Sequence, residues 1–185
     1  MTREEALKIL DQWVTKPFSR KHMLAVEACM RAYAKKFGED EEKWGLSGLL
    51  HDADWDSFPD EHPAKIVELL KEKGEPEMAQ AIASHGNNSP AYGNRFSERK
   101  ELMDKALYAC DEITGFVMAV SYVRPNGMSD LEVSSVKKKL KDKGFAAQVN
   151  REEIYEGAEL LGVPFDQHLA FVIDSMKTIQ DQLAK

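Results

Sequence analysis

Gly48-Leu49-Leu50-His51-Asp52-Ala53-Asp54-Trp55-Asp56 is an apolar run that ends abruptly in a histidine and an aspartate, followed by more acid. It closes a helical pattern from Asp40 through His51 that carries Trp44, Leu46, Leu49 and Leu50. Working outward, the neighbours are helical as well. Thr2 with Glu5 forms a capping-box pattern for a helix to about Val14. Ser19 heads a second helix ending at Gly38. His62-Pro63 fits an N-cap followed by a first-turn proline, where the missing N–H costs nothing. That helix runs to Lys73-Gly74, and Pro76 opens the next, which stops at Gly86. After a loop-like stretch to Phe96, Ser97 opens a long helix to about Val123. Ser129 with Glu132, Asn150 with Glu153, and Pro164 open the remaining three. No alternating run of β-branched residues is long enough for a sheet. The pattern predicts an all-α bundle of about nine helices, with residues 1–185 as one domain. The more polar part after about residue 127 reads as a helical cap or subdomain.

Composition narrows the class. The chain has 185 residues, enough for a sizeable core, and an ordinary 43% hydrophobic content. A net charge of −7 argues against binding a nucleic-acid polymer, which calls for a basic surface. It leaves a small phosphorylated substrate open, because bound metal would supply local positive charge. No apolar run approaches a membrane span, and Met1-Thr2-Arg3-Glu4-Glu5 begins no signal-peptide core. Cys29 and Cys110 lie in apolar helical patterns and read as reduced core thiols, which predicts a cytoplasmic setting. Oligomeric state is not legible.

Helical spacing decides which polar residues face the core. His22, Val26, Cys29 and Tyr33 share one stripe, and Gly45, Leu49 and Asp52 another. Gly48 would let a neighbouring helix approach closely. His62 aligns with Ile66 and Leu69, His85 with Met78 and Ile82, and Asp111 with Leu107, Gly115 and Met118. Burying a lone carboxylate or imidazole is costly unless something satisfies it, and a divalent cation satisfies several at once. One histidine on an apolar stripe is ordinarily a hydrogen-bonded core residue. Several such stripes, each carrying a metal-ligand type, suggest a shared metal site. His51 binds one ion at most, whereas the two oxygens of Asp52 could bridge a pair. His168, between Phe165 and Phe171, has no acidic companion at ligand spacing and reads as a core residue.

These residues resemble a known family. His22, then His51-Asp52, then Asp111 are similar to the H…HD…D signature of the HD superfamily of metal-dependent phosphohydrolases. His62 and His85 resemble the two extra histidines of its binuclear members. Leu49 to Trp55, Asp60-Glu61-His62, Ala83-Ser84-His85 and Leu107 to Gly115 carry the likeness, and Val136 to Lys139 and Asn150 to Ile154 continue it. The resemblance implies an HD-domain helical bundle. It implies a first ion held by His22, His51, Asp52 and Asp111, and a second held by Asp52, His62 and His85. Iron, manganese, cobalt, nickel and zinc all suit such ligands, in one or two copies. The implied reaction is attack of a metal-activated water on a small phosphoester or nucleotide.

The chain departs from the family pattern at Asp54 and Trp55, where many HD proteins continue with glycine and some with lysine. Asp54 could serve as a general acid or orient water, although a solvated acidic loop is the plainer reading. Trp55 could stack on a ring but reads first as a packing residue. Lys65, one turn beyond His62, and Arg95, in the loop after His85, are the candidates for binding phosphate. Lys137 to Lys141 reads as a solvated helix face. Two rival readings share the ligand set: a di-iron oxygenase of the HD type, and a non-catalytic ligand-binding module stapled by metal.

Overall fold

The structure is a computed structural model that describes residues 1–86 and 96–185. Among the described residues it contains ten helices and no strand. In chain order these are α1 (Arg3–Trp13), α2 (Pro17–Phe37), α3 (Glu41–Leu50), α4 (Ala64–Glu72), α5 (Pro76–Ser84), α6 (Leu102–Tyr122), α7 (Val133–Leu140), α8 (Arg151–Leu160), α9 (Phe165–Lys177) and α10 (Gln180–Leu183). The four-residue α10 is the addition to the nine expected.

Several helix ends follow local chemistry. The Glu5 amide donates to the Thr2 hydroxyl at 3.3 Å, and the Thr2 amide to Glu5 at 2.7 Å, so the capping box forms. Asp40 caps α3 by accepting from the Lys43 amide at 3.0 Å. The Asn150 side chain accepts from the Glu152 amide at 3.1 Å and donates to Glu153 at 2.7 Å, starting α8 as expected. α2 ends at Gly38, which takes the left-handed φ of 76° that side-chain-bearing residues avoid.

Other ends differ, and tertiary contacts are the reason. α2 starts at Pro17 rather than at Ser19, whose hydroxyl donates to Asp56 at 3.0 Å. Asp56 also accepts from the amides of Thr15 and Lys16, at 2.9 and 2.8 Å, and so ties the acidic stretch to the α1–α2 link. α4 starts at Ala64, with Pro63 rather than His62 at its N-cap. α6 starts at Leu102, five residues later than Ser97, because residues 97–100 instead run back against α5. There the Ser97 amide donates to the Ala83 carbonyl at 2.7 Å. Asp104 gathers the Lys100 and Glu101 amides, at 2.9 and 3.1 Å. The Ser129 hydroxyl donates to the Asn126 carbonyl instead of capping α7, which begins at Val133.

The core is built on α2, α3 and α6. Leu10, Met23, Met30, Leu49, Leu50, Leu107 and Phe116 are fully buried. Each such side chain contributes about 1.5–3 kcal/mol, against about 0–1 kcal/mol for an exposed ion pair such as Lys8–Glu4. Apolar packing therefore sets the helix arrangement. A β-carbon on Gly48 would sit 2.9 Å from the carbonyl carbon and oxygen of Val26, so only glycine allows α2 and α3 to pack this closely. Residues after 127 join the same hydrophobic cluster through Val136, Leu140, Ile154, Leu161, Leu169 and Val172. Lys137 pairs with Asp166 at 2.8 Å, on the outer face of the lysine-rich helix.

Candidate metal centre

Helix geometry delivers the candidate ligands to one place. His22 lies near the start of α2, and Asp111 near the middle of α6. His51 and His85 are the C-cap residues of α3 and α5. Asp52 follows directly, and His62 precedes the proline that caps α4. Helix ends suit this role, because a side chain there can reach past its own helix without breaking the helical hydrogen-bond pattern.

The Asp52 carboxylate stands at the centre, and its two oxygens face different histidines. Oδ2 is 3.5 Å from His51 Nε2 and 3.9 Å from His22 Nε2. Oδ1 is 3.6 Å from the Nε2 atoms of both His62 and His85. Asp111 Oδ1 approaches His22 Nε2 at 3.0 Å and His51 Nε2 at 3.4 Å. Two groups could each hold a metal ion: His22, His51 and Asp52, and Asp52, His62 and His85, with potential ligand atoms within 4.8 Å of one another. Asp111 adds a further oxygen beside the first group.

The remaining ring nitrogens are held from behind. Nδ1 of His51 faces the Gly48 carbonyl at 2.8 Å, and Nδ1 of His85 faces the Ile82 carbonyl at 2.6 Å. Nδ1 of His62 faces Asp54 Oδ1 at 2.7 Å. These partners only accept, so each Nδ1 carries the hydrogen and, in the neutral ring, Nε2 turns its lone pair inward. His22 Nδ1 lies 3.4 Å from the Thr114 hydroxyl, which itself donates to the Asp111 carbonyl at 2.9 Å. The Nε2 atoms of all four rings thus converge on two carboxylates. His51 Nε2 is fully buried and lacks a hydrogen-bond partner, since the carboxylates beside it are out of line. A buried atom of this kind demands a partner. Imidazole and carboxylate donors backed by second hydrogen bonds fit a first-row transition metal.

The electrostatics point the same way. Burial opposes a proton on His51, yet Asp52 and Asp111 outweigh it and push its pKa up to about 9. Burial would raise the Asp111 and Asp52 carboxyls, but His51 and the other imidazoles hold both below the usual carboxylate range. The centre therefore attracts positive charge.

The centre opens onto a cavity of about 960 Å³. Its described walls include Phe18, Trp55, Glu112, Gly115 and residues 146–150. Phe18 is 52% exposed at this cavity, and Trp55 meets the His62 ring edge-on at 5.0 Å. Burial, then Asp111 and Glu153, push the Glu112 carboxyl up to about 8.

Two expectations change. Asp54 is fully buried, not part of a solvated loop. Its carboxylate is occupied by His62 Nδ1 and by the Ile66 amide at 3.0 Å, so it orients a histidine and is not placed as a catalytic acid. Lys65 does not line the cavity; it pairs with Glu61 at 3.1 Å and lies over the Phe58 ring. Arg95 lies outside the described residues. His168 meets the core expectation: it is fully buried between the Tyr33 hydroxyl at 2.5 Å and the Ala109 carbonyl at 2.9 Å. Thr114 and Glu112 went unread in the sequence. Thr114 has a usable signal, since it lies three residues after Asp111 on one helix face.

No curated protein and no solved structure matches the chain. The family model described as the HD domain matches residues 20–113. That span starts two residues before His22, ends two after Asp111 and covers just over half of the 185 residues. The chain belongs to the HD-domain family, whose members are largely metal-dependent phosphohydrolases.

Proposed function

We propose that this protein is a metal-dependent phosphohydrolase that cleaves a small phosphoester or nucleotide at a two-ion centre. One observation carries this reading: Asp52 divides its two oxygens between two histidine pairs at the floor of a substrate-sized cavity. His22, His51, Asp52 and Asp111 hold the first ion, and Asp52, His62 and His85 hold the second. Bound there, divalent ions lower the pKa of water and offset charge on the attacking and leaving oxygens of a phosphoester. The protein's own residues do the positioning. Asp52 sets the spacing of the two half-sites. Asp54 fixes the ring of His62, as carboxylates behind metal-ligating histidines do. The part after about residue 127 acts as a cap within one domain, through residues 146–150 on the cavity wall. The setting is cytoplasmic, with the buried Cys29 and Cys110 kept as thiols.

The test is metal analysis of the purified protein joined to a phosphoester screen. Anaerobic phosphate release with manganese, cobalt or nickel supports the hydrolase. Iron content with oxygen uptake replaces it with the di-iron oxygenase reading. Tight metal binding without turnover over a broad panel replaces it with a metal-stapled binding module.

A further inference from the structure

The second half-site lies against a short segment that is not among the candidate ligands. α5 stops at Ser84, one residue before His85, and leaves its last carbonyls without helical partners. Arg99 supplies the last of them and the C-cap carbonyl beyond: its Nη1 donates to the Ser84 carbonyl at 3.0 Å and to the His85 carbonyl at 3.4 Å. A cation at a helix C-terminus also meets the negative end of the helix dipole. The guanidinium lies over the Tyr108 ring, 3.6 Å from its centroid, and the Tyr108 hydroxyl donates to Glu156 at 2.9 Å. Tyr108 stands on α6 and Glu156 on α8. The same segment carries Phe96, whose ring meets His85 at 5.0 Å and His62 at 5.9 Å. The Ser97 amide ties it to Ala83.

We infer that residues 96–99 form a latch for the second ion, with Arg99 the positioning residue that holds the end of α5 and so aims His85. The inference rests on the two-ion reading above. Among the described residues the latch meets His85 and His62, so loosening it weakens one ion and spares the other.

The experiment is titration of the metal-free protein with Co²⁺, followed by visible absorption and checked by metal content after dialysis. Wild type, Arg99→Ala, Arg99→Gln and Arg99→Lys are compared, with circular dichroism as the check on folding. Wild type takes up two ions. Arg99→Ala keeps the first and binds the second about 10–100-fold more weakly, the usual cost of removing a residue that supports a ligand. Arg99→Gln, which is shorter and uncharged but keeps a polar side chain, gives the same result if the alanine variant does not fold. Arg99→Lys recovers part of the loss. Two ions bound with unchanged affinity in the folded alanine or glutamine variant would overturn the latch, as would equal weakening of both ions. A wild type that takes up a single ion fails earlier, at the two-ion reading, and removes the latch with it.

Discussion

The two halves of the centre are built differently. His22, His51 and Asp111 stand on or at the ends of α2, α3 and α6, the helices whose apolar faces make the core. α2 and α3 meet backbone to backbone at Gly48 and Val26. His62 precedes α4 and His85 is the C-cap of α5, and both are held by further side-chain and loop contacts: Asp54 behind one, residues 96–99 behind the other. Close-packed cores move little, whereas polar contacts of this kind are lost one at a time. The first half-site is therefore the rigid one, and the second is adjustable at little cost to the fold.

The largest effect belongs to the residue both halves share. Asp52→Ala is expected to bring phosphate release to background and to strip most bound metal, while circular dichroism stays helical. Normal metal loading in that variant would sink the bridging role.

Asp54→Asn should separate the halves. It removes the charge behind His62 and is expected to weaken the second ion about 10–100-fold while leaving the first in place. Calorimetric titration reads both steps, and equal losses would mean that the halves are not independent.

Gly48→Ala probes the rigid half from its packing. The new β-carbon would overlap Val26 backbone, costing about 1–3 kcal/mol. Thermal unfolding should shift down by several degrees, at about 2–4 °C per kcal/mol for a chain of this size. An unchanged midpoint would show that the α2–α3 contact yields easily.

The smallest effect on metal is expected at His168, which braces α6 through Ala109 without reaching the centre. Its substitution by alanine should leave metal content unchanged. Burial pushes its pKa down to about 4 from the ordinary imidazole value of 6.5. The folded protein thus binds this proton less readily than the unfolded chain. His168 should be neutral to stability above pH 6.5 and increasingly destabilising as pH falls toward 4, by about 3 kcal/mol at most. Denaturant titrations over that range should lose this increment in His168→Gln.

Much of the centre was legible before any coordinates. His22, His62, His85 and Asp111 each fall on an apolar stripe, and helical periodicity alone shows that such residues turn inward. Gly48 was legible for the same reason. Asp54 and Asp56 were not: in a stretch dense with acid, composition suggests solvent, but one caps His62 and the other ties down the α1–α2 link. The start of α6 is not legible locally, because Ser97 is a good cap type whose amide pairs instead with the Ala83 carbonyl.

By itself, the sequence determined the all-helical architecture and the order and kind of the candidate ligands. Both follow from short-range rules: periodic burial, helix capping, and the cost of an unsatisfied buried charge. The tertiary structure decided how Asp52 divides its oxygens, which way Asp54 and Lys65 turn, and that Arg99 reaches the end of α5. Those depend on where segments far apart in the chain come to rest, which packing sets and no local pattern encodes.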